Sequence, residues 1–263
     1  MQMWLLGIAA MGFYSLSTIV IAHRLSLTDD RARPVTGDLF APAMLGLLLH
    51  SILLYQLSTS AQGLSFGFFD SVSIVAALLL FTLFATMGRA NTHGLGVILL
   101  PIAIVSIVLA LANYNPAFDL HQLSPGLKVH VLLSFLAYST LSLAALLSLI
   151  LAYQNYQLHY RRKLLLPNVF PSLQSVESLM FQLISTGFVL LSLAVALGIV
   201  YTETWWTHKI IFSCLAWLVF AILLFGRYRF GWRGRTAIQW TLGGIFLLMI
   251  GFFGTKLVLE FIQ

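Results

Sequence analysis

Seven histidines, eight carboxylates and a single cysteine are the side chains of this sequence with acid–base, redox or metal-binding chemistry. Six ionisable residues of its long apolar runs are the candidates for a function: His50, Asp70, His130, Glu177, His208 and Lys256. An ionisable group placed in hydrocarbon is costly, so it is kept either for a function or because a partner compensates it. His50 lies deep in the run Leu47-Leu48-Leu49-His50-Ser51-Ile52. Two readings fit it, a neutral imidazole bonded to a neighbouring helix and a ligand to a metal or haem iron. His130 is followed by Ser134 and Tyr138 at i+4 and i+8, which puts a polar stripe on one helix face. That stripe reads as a helix–helix seam or as a ligand site. His208 follows Trp205-Trp206 and reads as an interfacial histidine or a third ligand. The two tryptophans suit membrane-interface anchoring and equally suit stacking on a flat cofactor.

Other chemistries are not supported. Cys214 is alone, so neither an internal disulfide, a cysteine metal site nor a two-thiol relay is available. There is no Ser-His-Asp pattern, Gly-rich phosphate loop or HExxH. The expectation is therefore binding or delivery rather than turnover. Asp70 opens a run, where a carboxylate caps a helix N-terminus.

The elements that must position these residues are membrane helices. The 263 residues are 60% apolar and 8% charged, with mean hydropathy +0.95. A soluble domain carries about 25% charged residues. A span needs roughly 20 apolar residues. Eight segments qualify: 2–23, 38–58, 66–87, 95–113, 127–158, 175–200, 205–226 and 236–259. The first has no basic n-region before it and no small-x-small cleavage site, so it reads as a span rather than a signal peptide. The fifth segment has no strong breaker from Gly126 to Leu158 and would run roughly 50 Å. Its last turns, Tyr153 to His159, should leave the bilayer core. The expected fold is an all-α polytopic bundle of about eight transmembrane helices in one domain, 1–263.

Eleven of the 14 Lys and Arg fall in the first, third, fifth and seventh connections: Arg24, Arg31, Arg33, Arg89, Arg161, Arg162, Lys163, Arg227, Arg229, Arg233 and Arg235. Positive charge stays cytoplasmic, which puts both termini on the outer, periplasmic side. The same placement explains the net charge of +6 without a nucleic-acid partner. Counting 1.5 Å per residue, His50 lies about 10 Å, His130 about 6 Å and His208 about 5 Å below the outer boundary. The three are thus placed to border one cavity in the outer half of the membrane.

Four segments carry a family resemblance. They are Phe69-Asp70-Ser71; Pro125-Gly126-Leu127-Lys128-Val129-His130 with Ser134-Phe135-Leu136-Ala137-Tyr138; Pro171-Ser172-Leu173-Gln174-Ser175-Val176-Glu177 with Gly187-Phe188-Val189-Leu190-Leu191; and Gly231-Trp232-Arg233-Gly234-Arg235. In this order they resemble the cytochrome c assembly family of CcsA-, ResC- and HemX-type membrane proteins, over residues 38–262. The resemblance implies a multi-pass protein of the bacterial inner (plasma) membrane that handles haem at its outer face. It implies non-covalent, b-type haem as cofactor, with the lipid bilayer, haem and other membrane subunits as partners. By position it makes His130 the family's outer histidine and puts Trp205 and Trp206 where a Trp-rich segment belongs. The segment is cut to Tyr201-Thr202-Glu203-Thr204-Trp205-Trp206, and no histidine follows the last helix. The implied ligand pair is then His130 with His50 or His208. The alternative is an accessory or transport-associated subunit that keeps the fold without haem.

Overall fold

The structure, a computed structural model of the chain, describes residues 2–26, 40–60, 63–64, 67–87, 92–113, 124–159, 172–201 and 208–254. These residues form eight α-helices: α1 Gln2–Ser26, α2 Ala41–Ser58, α3 Phe68–Thr86, α4 Gly96–Ala112, α5 Pro125–His159, α6 Leu173–Tyr201, α7 His208–Phe230 and α8 Gly234–Met249. Seven are long and apolar enough to cross a bilayer. The eighth, α4, has 17 residues but continues directly from a 3₁₀ turn at Thr92–Leu95. The two together span roughly 33 Å. A two-residue antiparallel ladder, β1 Thr59–Ser60 with β2 Gly63–Leu64, follows α2. The all-α membrane bundle expected from hydropathy is thus the observed fold.

Helix starts follow local chemistry. Ser124 accepts the Leu127 N–H on its Oγ at 3.4 Å, and Pro125 takes the first helical position of α5, where its missing N–H costs nothing. Ser172 does the same for α6, its Oγ accepting from the Ser175 N–H at 3.3 Å. Asp70 closes the start of α3, with Oδ2 accepting the Gly67 N–H at 2.9 Å. The expected capping role of Asp70 is what the structure shows.

The largest departures from the hydropathy boundaries are at the ends of the last two helices. The seventh helix runs on to Phe230 and takes Arg227 and Arg229 into its last turn. Gly231, at φ 65°, then ends it, its N–H donating to the Arg227 carbonyl at 3.2 Å. Charge marks the membrane boundary, but a helix ends only where the backbone leaves αR. The last apolar run is helical to Met249 and then forms a π turn, Ile250–Gly254. The fifth helix is continuous over 35 residues, as expected. Its final turns are partly sheltered, with Gln154 and Gln157 buried beside exposed Tyr156 and Leu158.

The helices group into two compact units, α1–α4 and α5–α8. In the first, α1 packs on α2 and α4, and α3 on α2 and α4. Ala10, Tyr14, Ser17 and Ile21 form the buried stripe of α1, at the i+3/i+4 spacing of one helix face. The Tyr14 ring crosses α2 at Gly46, where an added Cβ would sit 2.8 Å from Cδ1. In the second, α5 and α6 form a long antiparallel pair. Gly187 of α6 admits Leu141 of α5, whose Cγ would lie 2.6 Å from a Cβ there. At the other end Gly126 receives the Tyr201 ring. Trp217 of α7 donates its Nε1–H to Ser192 Oγ of α6 at 2.8 Å and stacks on Phe188. Phe220 of α7 fits against Gly244 of α8. Outward faces remain apolar, with Leu5, Ile8, Leu16 and Ile19 exposed on α1 and Val189, Leu193 and Val200 on α6. Water would penalise such faces and lipid does not.

Candidate functional site

His130 lies in the second turn of α5, beside the end of α6. Its Nδ1 is 2.6 Å from the Ala194 carbonyl oxygen. A carbonyl only accepts, so Nδ1 carries a proton and donates it. In the neutral ring the lone pair is then on Nε2. The close approach has a local cause. Ala194 and Gly198 are four apart on α6, a small-xxx-small pair that lets another helix come near. A Cβ at Gly198 would lie 2.9 Å from His130 Cε1, so the ring rests in the space the glycine leaves. A backbone carbonyl that fixes one imidazole nitrogen as donor, and so turns the other into a ligand, is the usual outer support of a metal-binding histidine.

Of the stripe expected along α5, His130 makes a polar bond to α6. Ser134 turns back, its Oγ donating to the His130 carbonyl at 2.7 Å. Tyr138 stacks on Phe252 of the π turn, 5.4 Å between centroids, and Phe135 meets the same ring edge-on at 5.5 Å.

His50 is in the first unit and fully buried. Nδ1 is 3.3 Å from Tyr14 Oη of α1, and Nε2 is 2.8 Å from Ser73 Oγ of α3. Ser73 Oγ is in turn 3.4 Å from Ser106 Oγ of α4, which donates to the Ala103 carbonyl at 2.8 Å. The proton positions follow from the far end. Ser106 has one hydroxyl proton, given to Ala103, so Ser73 donates to Ser106. Ser73 then has no proton left for His50, so the His50 Nε2–H donates to Ser73. Nδ1 is therefore the acceptor, and the Tyr14 hydroxyl donates to it. One chain of hydrogen bonds thus runs Tyr14, His50, Ser73, Ser106 through all four helices of the unit. It has the form of the helix–helix polar bond, one of the two readings of this histidine. As an iron ligand, His50 would have to break one of these bonds.

The side chains of Trp205, Trp206 and His208 lie outside the described residues; of His208 only its place at the start of α7 is described.

Glu177, named among the ionisable candidates, had no partner assigned from the sequence, and the structure supplies two. Glu177, in the second turn of α6, is nearly buried, and its Oε1 accepts from Arg227 Nη1 at 2.9 Å and from Arg233 Nε at 2.8 Å. Arg227 also donates to the Trp232 carbonyl at 3.1 Å and lies over the Phe181 ring at 4.4 Å. The signal was present: a carboxylate near the start of one apolar run, with arginines in the connection that follows the next run. Those arginines read only as topology markers.

His50→Leu is expected to strand the hydroxyls of Tyr14 and Ser73 in the core. Each unsatisfied group costs about 1–3 kcal/mol in a protein interior, and hydrogen bonds between membrane helices average about 0.6 kcal/mol. The variant should therefore lose about 1–3 kcal/mol, read as a lower Tm in detergent. Tyr14→Phe removes one donor and should cost about 0.6 kcal/mol. Equal Tm values for His50→Leu and the wild type would contradict the chain.

Eight apolar helices, seven of them long enough to cross a bilayer, define a multi-pass membrane protein. The chain belongs to the cytochrome c assembly protein family, whose model matches residues 39–263. It is 34% identical over 231 residues to the inner membrane protein YpjD of Escherichia coli K12, covering 84% of this chain and 86% of the relative. It is 27% identical over 210 residues to the cytochrome c biogenesis protein CcsA of Trieres chinensis, covering 64% and 66%. It is also 27% identical over 168 residues to protein HemX of Brevibacillus brevis, covering 60% and 62%. No solved structure matches. The chain is a multi-pass inner membrane protein of this family.

Proposed function

We propose that this protein binds b-type haem non-covalently at the outer side of the inner membrane, as a haem-handling member of the cytochrome c assembly family. His130 would hold the iron through Nε2, with His208 as the candidate second ligand and Trp205 and Trp206 as candidate porphyrin-facing rings. The observation that carries the reading is the bond from His130 Nδ1–H to the Ala194 carbonyl, on the helix that bears the family's histidine motif. The donor set suits haem better than a bare metal ion. Among the described residues no three His, Cys, Asp or Glu side chains converge, and haem iron, already held by its ring nitrogens, needs only one or two axial ligands. When bound, haem would supply a redox-active iron. The protein's part is to hold the imidazole tautomer through Ala194, to seat the ring against Gly198 and to exclude water with apolar helix faces. His50 is the less suitable ligand, because both its nitrogens are engaged within α1–α4.

The test is an absorption spectrum of the detergent-purified protein, oxidised and reduced, with and without added haem. A Soret band with sharp reduced α and β bands is expected. Its absence under both conditions would favour the second reading, an accessory or transport-associated subunit that keeps the fold without haem. The engagement of His50 at both nitrogens is the observation on that side.

A further inference from the structure

We propose that the turn between α7 and α8 is a binding site for the headgroup of an anionic phospholipid. Four arginines lie between the last turn of α7 and the first turn of α8: Arg227, Arg229, Arg233 and Arg235. Among the described residues of α5–α8, Glu177 is the only acidic side chain. It accepts from Arg227 and Arg233 through the same oxygen. Four positive charges against one negative leave a net +3. Arg229 and Arg235 are exposed and have no ion pair among the described residues.

The turn is built as a fixed surface. Gly231 and Gly234 both hold positive φ, at 65° and 54°, which lets the chain reverse in three residues. The Trp232 ring lies against Gly226, and the Trp232 N–H donates to the Gly226 carbonyl at 3.2 Å. Glu177 anchors Arg227 and Arg233 beneath it.

The same turn is strongly apolar. Phe225, Tyr228 and Phe230 are 61%, 90% and 66% exposed. Rings continue from Phe225 to Phe230, on to Trp232 and then to Trp240, at centroid distances of 6.1, 6.4 and 5.6 Å. Aromatic side chains of this kind settle where acyl chains meet headgroups. Guanidinium groups bind phosphate through paired N–H donors. A phospholipid offers both a phosphate for the arginines and acyl chains for the rings, whereas a soluble acidic protein would meet the arginines and leave the rings uncovered. The charge asymmetry of the connections directs this turn to the cytoplasmic leaflet, whose anionic lipids attract basic segments at membrane surfaces.

The test titrates purified full-length protein with phosphatidylglycerol or phosphatidylcholine and reads bound lipid by native mass spectrometry. The wild type should hold phosphatidylglycerol about 25-fold more tightly, at about fivefold for each of the two uncompensated arginines. An R229Q/R235Q variant leaves both Glu177 ion pairs in place and should bring the two lipids close to parity. R229Q and R235Q singly should fall between. Equal binding of the two lipids by the wild type would overturn the site. So would an unchanged preference in the double and single variants, or soluble glycerol phosphate binding as tightly as phosphatidylglycerol.

Discussion

His130→Ala is expected to abolish the Soret band of the purified protein, or its appearance after haem is added. The reasoning rests on two separate jobs of one ring. Nδ1–H donates to the Ala194 carbonyl, and the proposed iron bond uses Nε2. Alanine removes both. It also empties the notch at Gly198 that the ring occupies, so a stability loss of about 1–2 kcal/mol should accompany the spectral loss. His130→Asn separates the two effects. Its side-chain amide nitrogen stands where Nδ1 stood and can donate to Ala194, while nothing replaces Nε2. The asparagine variant should therefore keep most of its thermal stability and still lack the band. Imidazole added to the alanine variant should restore a low-spin spectrum, because a free ring fits the vacated notch. A wild-type spectrum in His130→Asn would remove His130 as the ligand whatever else binds haem.

The second large effect is expected at Glu177, away from any ligand. Glu177→Gln leaves Arg227 and Arg233 facing each other across a nearly buried amide. Breaking a buried ion pair by removing one partner costs about 3–5 kcal/mol. Here the side chains of Arg227 and Arg233 are 29% and 60% exposed, so water screens part of that loss. About 2–3 kcal/mol is the expected destabilisation, read as a lower unfolding midpoint in detergent. The three members should rank. Glu177→Gln comes first, since it uncouples α6 from both α7 and the turn. Arg227→Gln follows, because it also loses the Trp232 carbonyl and the face of Phe181. Arg233→Gln comes last and should be the most salt-sensitive, as exposed pairs contribute about 0–1 kcal/mol. Equal, small effects at all three would mean the carboxylate anchors nothing.

The two predictions use different parts of the second unit, one near the Tyr201 end of α6 and the other near its Leu173 start. They should therefore add in a His130→Asn/Glu177→Gln double variant. The spectral loss should follow His130 alone.

How much was legible beforehand varies with the physics involved. The eight helices, and the capping of α3 by Asp70, follow from local features. Hydropathy reports the cost of each segment in lipid, and caps report orphan N–H groups within one turn. Neither needs a partner from elsewhere in the chain. The family was legible for a similar reason, since its four motifs lie in order on helices that hydropathy already places. The end of α7 was misjudged by four residues, because charge marks the water boundary and only the Gly231 backbone marks the helix boundary.

The histidines show where sequence stops deciding. His50 and His130 look alike as single ionisable residues in apolar runs, and each was open to a structural or a ligand reading. Their partners separate them. His50 is reached by Tyr14 from 36 residues away and by Ser73 from 23, and Ser106 then fixes the direction of every proton in the chain. His130 is reached by a backbone carbonyl 64 residues away, which any residue type at position 194 could supply. No pattern in the sequence announces a carbonyl. Sequence alone determined that this is an eight-helix membrane protein of the cytochrome c assembly family, because lipid as a solvent acts on each segment separately. Only the tertiary structure decided which groups meet each histidine, Tyr14 and Ser73 at His50 and the Ala194 carbonyl at His130, because tautomer and hydrogen-bond direction depend on how neighbouring helices are rotated.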